Sequence, residues 1–137
     1  MIYPMFAMVL LTFLVAFRLL FLRLKAIKTG SVKLSQFRLN TGEMPDEIAQ
    51  TARNYSNLFE IPVLFYAAGA TAIAMGTEST AMMVAAWLFV FARTAHSIIH
   101  LTINDVINRF RTYAFGNLCV LAIWGILLID HATHYVG

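Results

Sequence analysis

The sequence predicts an all-α integral membrane protein, a four-helix up-and-down bundle, on three observations. Hydrophobic residues fill 60% of the 137 positions and charged residues only 12%, with a mean hydropathy of +0.72. A soluble domain averages about 45–50% apolar and about 25% charged, so the chain departs toward the bilayer on both counts. Four apolar tracts follow one another, each reaching or approaching the roughly 20 residues that a helix needs to cross the hydrocarbon core. The third observation is that basic residues gather in or beside alternate connections, as in a multi-pass topology. The length fits one domain, residues 1–137. A single cysteine, Cys119, excludes an intrachain disulfide and a multi-cysteine metal site. No glycine-rich phosphate loop, zinc-ligand spacing or nucleic-acid motif occurs, so no nucleic-acid partner is expected.

The first tract, "MIYPMFAMVLLTFLVAF", predicts a helix over about residues 2–26. It has no basic residue ahead of its apolar run and no small-residue cleavage site behind it, so it reads as a retained span rather than a secretory signal. Arg18 interrupts the tract and is expected to face a neighbour or the interface. Residues 26–46 read as a polar connection with Gly30, Gly42 and Pro45 as breakers. Asp46 and Glu47 suit the positive end of a helix dipole and open a second helix over 46–75. "GTES" at 76–79 is a tight turn. A third helix over 79–101 is long enough to cross only if it includes Arg93, His96 and His100. "TIND" at 102–105 is another turn, whose Asn104 or Asp105 can cap a fourth helix over 104–135. Cys119 reads as a small core residue, and Asp130, His131 and His134 as a solvated end. Lys25, Lys28, Lys33 and Arg38 flank the first connection, and Arg109 and Arg111 the third. Those two connections should therefore face the cytoplasm, and both termini the other side. The compact chain suggests a bacterial inner membrane, with the endoplasmic reticulum as the alternative.

Polar residues inside three tracts share helix faces. Arg53, Asn57 and Glu60 stand at i, i+4 and i+7. Arg93, His96 and His100 stand at i, i+3 and i+7, and Arg109 and Tyr113 are four apart. Charge within a span is costly, and these stripes all fall toward the cytoplasmic ends of their helices. Brought together they form a cationic pocket with one buried carboxylate, suited to an anion that also carries an amine. The plainer alternative is arginines snorkelling at helix ends, with Glu60 neutralising one of them. For one residue alone the two readings are balanced, whereas three stripes at one depth favour the pocket. His96 and His100 have the spacing of two helical metal ligands, but no third ligand is evident and no metal is expected.

These motifs resemble those of the MAPEG family, the membrane-associated proteins in eicosanoid and glutathione metabolism, which include microsomal glutathione transferases and prostaglandin E synthase. The family's second helix carries Arg-x-x-x-Asn-x-x-Glu followed by a proline, matched here by "RNYSNLFEIP". Its third helix carries Arg-x-x-His/Tyr-x-x-x-Tyr, with a further arginine opening the fourth. "RTAHSIIHLTINDVINRFRTY" matches through Arg93, His96 and Arg109, with Tyr113 one turn on. His100 stands where the family has tyrosine, and Pro62 follows Glu60 after one residue. The resemblance covers essentially the whole chain.

The resemblance implies a homotrimer with glutathione, as co-substrate, held between subunits. Arginines hold carboxylates by charge-assisted, bidentate hydrogen bonds, which fits Arg53, Arg93 and Arg23 to the two carboxylates of glutathione. Glu60 would pair with its ammonium, while Asn57, His96 and His100 complete the binding set, His96 as a donor to the peptide. The thiolate is the reactive form, and a fixed cation at a helix N-terminus lowers a thiol pKa. That role is implied for Arg109, with Tyr113 as a second catalytic candidate. The electrophile would be a lipophilic small molecule arriving from membrane lipid. The implied function is a glutathione-dependent membrane transferase, with peroxidase activity as a further outcome of the same thiolate. Two alternatives are a non-catalytic lipid-binding or scaffolding protein of the same fold, and a small transporter using the ionisable residues as a relay. "AAGATAIAMG" in the second tract fits close helix packing, either between subunits or within one.

Overall fold

The structure, a computed structural model, describes residues 1–39 and 44–135. Among the described residues six helices run in order: α1 (Ile2–Lys28), α2 (Leu34–Leu39), α3 (Asp46–Asn57), α4 (Ile61–Met75), α5 (Thr80–Leu101) and α6 (Val106–Tyr135). Four stretches are long and apolar enough to cross a membrane: α1, α3 with α4, α5 and α6. The chain is a four-span membrane protein, an all-helical bundle.

Local signals place most of these ends. Beyond α1, the Thr29 hydroxyl donates back to the Lys25 carbonyl at 3.1 Å, and Gly30 turns the chain at φ +71°. Gly76 closes α4 in the left-handed conformation, φ +66°. Ser79 caps α5 by accepting from the Met82 amide at 3.2 Å, and Asp105 caps α6 by accepting from the Asn108 amide at 2.7 Å. The turn at 76–79 and the cap at 105 therefore stand as predicted.

Two elements differ from expectation. The first connection holds a short helix, α2, whose entry is tied by the Lys33 amide donating to the Gln36 side chain at 2.7 Å. Six residues carry too few turns for apolar periodicity to declare a helix. Phe37 packs it onto Leu19, Leu22, Ala26, Val32 and Ile48. Gly42 lies outside the described residues. The second difference lies in the second span, which is not one unbroken helix. It breaks at residues 58–60, just ahead of Pro62, a residue with no backbone N–H and a ring that collides with the carbonyl four positions back.

The bundle closes around Met8, Phe65, Ala68, Met82, Phe89 and Ile123, all without solvent exposure. Phe65 and Phe89 meet with ring centroids 4.5 Å apart. α1 lies across α3, α4 and α5, while α6 packs along α5 and against α4. The small residues of the second tract are used inside one copy: Ala68 and Ala72 are fully buried, and a Cβ added at Gly69 would lie 2.5 Å from the Met5 sulfur of α1. Arg18 finds its partner within the chain, pairing with Glu47 of α3 at 3.0 Å. The Met1 amino group meets the Glu78 carboxylate, tying the start of α1 to the α4–α5 turn. Large apolar side chains such as Phe13, Phe17, Phe21, Leu118 and Leu121 point outward. In a bilayer that is the solvated surface, since lipid tails are as apolar as the side chains they meet.

Candidate functional site

The C-terminal part of α3, the C-terminal half of α5 and the first turns of α6 converge at one end of the bundle. Arg93 is the centre of this convergence. It is 0% exposed, although it carries a full charge. Burial of a guanidinium is tolerable only when acceptors and π-faces replace water. Its Nη2 donates to the backbone carbonyl of Asn57 at 2.7 Å, and its guanidinium carbon sits 5.4 Å from the centre of the Tyr113 ring, a cation–π contact. Nε and Nη1 are buried without a hydrogen-bond partner.

His96 packs beside the same tyrosine, with ring centroids 5.9 Å apart, and His100 lies one turn on at 5.7 Å. The His96 Nδ1 is 3.0 Å from the carbonyl of Arg109. A carbonyl only accepts, so Nδ1 carries the proton and donates. In the neutral ring Nε2 is then left as an acceptor, buried and unpartnered. The Nδ1 donor of His96 is thus committed to the protein backbone, and Nε2 is the ring atom left for a ligand. Both ring nitrogens of His100 are buried without partners, while its backbone carbonyl accepts from the Gln50 side chain.

Arg109, at the first turn of α6, is half-buried. Its Nη1 donates to the Asn104 side chain at 2.8 Å, and Asn104 holds the left-handed φ of +51°. Asparagine tolerates that conformation better than most residues. The α5–α6 turn thus aims the guanidinium from behind.

The structure separates residues that the i, i+4, i+7 stripe had joined. Arg53 is exposed on α3, Asn57 is its last residue and half-buried, and Glu60 lies beyond the break as the exposed cap residue of α4. The break thus takes Glu60 off the helix that carries Arg53 and Asn57, and Asn57 meets the buried arginine through its carbonyl. Arg23 lies elsewhere in the chain, stacked over Phe37 at 5.5 Å. Asn54 is a buried polar residue beside this cluster that the stripe missed. It is fully buried, its Oδ1 accepts from the Ser97 hydroxyl at 3.3 Å, and its Nδ2 is unpartnered. The signal was present in the sequence, because Ile48, Thr51 and Asn54 recur at helical spacing and form the buried face of α3. Among the described residues no group of three His, Cys, Asp or Glu side chains converges as a metal site would require. Cys119 is buried, Asp130 is half-buried, His131 is exposed, and the His134 side chain lies outside the described residues.

Four spans enclosing buried arginine and histidine at one end define a multi-pass membrane protein with a buried polar cluster. The model of the MAPEG family matches residues 1–129, and the chain belongs to that family. Neither a curated protein nor a solved structure matches it. Membership supports glutathione-transferase-like activity in general.

Proposed function

We propose that the protein binds glutathione at the α3–α5–α6 site and activates its thiol for attack on lipophilic electrophiles. The observation that carries this reading is the buried Arg93, held by the Asn57 carbonyl and the Tyr113 ring with two N–H groups unpartnered. A cation kept out of water with donors to spare suits a carboxylate. The exposed guanidinium of Arg53 takes the second carboxylate, and the exposed carboxylate of Glu60 takes the ammonium. Arg109, aimed by Asn104 and standing at the positive end of α6, faces the thiol and favours its thiolate. The thiol proton leaves to an acceptor, and the buried, unpartnered Nε2 of His96, whose ring packs beside Tyr113, is one that the site offers. Tyr113 is a hydroxyl donor to the sulfur or to the second substrate.

An apolar groove of about 370 Å³ between α1 and the α3–α4 break supports a co-substrate drawn from the bilayer. Val9, Phe13, Leu58, Phe59 and Val63 line it, and Phe59 adjoins Glu60. Conjugation and peroxide reduction both follow from one thiolate meeting different electrophiles. Exposure of Arg53 and Glu60 on a single copy, and the distant position of Arg23, support assembly as a homotrimer in which neighbouring copies complete the site. The first and third connections are assigned to the cytoplasm on their basic residues.

Calorimetric titration of the purified protein with glutathione tests this reading. Binding should be measurable at millimolar glutathione, and Arg53→Ala or Glu60→Ala should each weaken it by about tenfold, the loss of one charge-assisted contact. Absence of any heat of binding in a folded sample would overturn it in favour of a non-catalytic member of the fold.

A further inference from the structure

The geometry points to Pro62 as a positioning residue for Arg93: by ending α3 it leaves the Asn57 carbonyl to the buried guanidinium. In an unbroken helix each carbonyl accepts from the amide four residues ahead. Asn57 would then be matched with the Ile61 amide, and Leu58 with the residue at 62. Proline has no N–H for the second pairing, and its ring strikes the Leu58 carbonyl. The chain therefore tightens and stops. The Leu58 and Phe59 amides bond back three residues, to Tyr55 at 3.1 Å and Ser56 at 2.9 Å. Glu60 leaves the helical region, with φ −92° and ψ −101°, and α4 restarts with Pro62 in its first turn, where a missing N–H is harmless. The Asn57 carbonyl, at the last residue of α3, meets Arg93 Nη2 at 2.7 Å.

Two features of the site depend on this stop. Arg93 gains a fixed acceptor inside a bundle that offers its guanidinium no water, and its remaining N–H groups are held in one orientation. Glu60 is swung off the helix that carries Arg53 and becomes the exposed cap residue of α4. The consequence for binding rests on the glutathione reading, whereas the backbone arrangement does not.

The test uses the full chain with two variants, Pro62→Ala and the double variant Ile61→Pro/Pro62→Ala, the second of which moves the missing N–H by one position. In Pro62→Ala the Ile61 amide should gain protection from hydrogen exchange as it takes the Asn57 carbonyl. Glutathione affinity should fall by about tenfold, the loss of one hydrogen bond to a charged group. The thiolate absorbance per bound glutathione should not change, since Arg109 is untouched. The double variant should recover wild-type affinity, because a proline at position 61 again leaves that carbonyl free. Unchanged affinity in Pro62→Ala would overturn the inference. Equal weakness in both variants would also overturn it, by assigning the effect to packing of the buried Pro62 ring. If the wild type binds no glutathione, the functional reading fails on its own. The exchange experiment then decides the positioning role, and an Ile61 amide left unprotected in Pro62→Ala sinks it.

Discussion

Individual residues at this site are governed by how buried polar groups are satisfied. Asn54 and Ser97 illustrate this: both are buried, and the Ser97 hydroxyl is the one described partner of the Asn54 oxygen. Ser97→Ala should lower stability by about 1 kcal/mol, the usual value of one interhelical side-chain hydrogen bond in a membrane protein. Thermal unfolding in detergent would register it, and an unchanged midpoint would mean that the asparagine finds another donor. Single residues were also where the sequence was hardest to read. Arg93, His96, Arg109 and Tyr113 were legible because charge and polarity inside a span demand a reason. Their mutual geometry was not legible. The commitment of His96 to the Arg109 carbonyl, and of Arg93 to the Asn57 carbonyl, are bonds to backbone, which carries no side-chain signal.

Helices were legible wherever a long apolar run met a strong stop. α1 stops just ahead of Gly30, α5 opens at the Ser79 cap and α6 at the Asp105 cap. The second span was legible as a span but not as two helices. The polar spacing of Arg53, Asn57 and Glu60 runs on across residues 58–60, whereas a proline two residues into the following helix sets the break. The same span shows how small residues are spent. Gly69 admits α1 so closely that a Cβ would meet the Met5 sulfur, the movable end of a flexible side chain. Gly69→Ala should therefore be nearly silent as Met5 rotates away. Gly69→Leu should cost about 1–3 kcal/mol by forcing α1 from α4, the usual range for overpacking. Comparing the two melting midpoints checks this, and equal midpoints would show that the α1–α4 contact is not close-packed.

At the scale of the molecule, the bundle accounts for both solvents it must satisfy. Apolar side chains cover its outer faces, and Arg93, His96 and His100 are buried where α3, α5 and α6 meet. The sequence made the four-span architecture plain, because composition alone excluded a soluble domain. The family followed from spacing of a few polar residues. The arrangement of one copy leaves Arg53 and Glu60 at its surface and Arg23 apart, which is why a neighbouring copy enters the proposed site. The central claim is that this buried cationic cluster makes a thiolate, and ultraviolet absorbance of bound glutathione tests it most directly. Wild-type protein should develop thiolate absorbance at neutral pH, and Arg109→Ala should lose it while still binding glutathione. Glutathione bound by the wild type entirely as the thiol, or an undiminished thiolate signal in Arg109→Ala, would contradict the account.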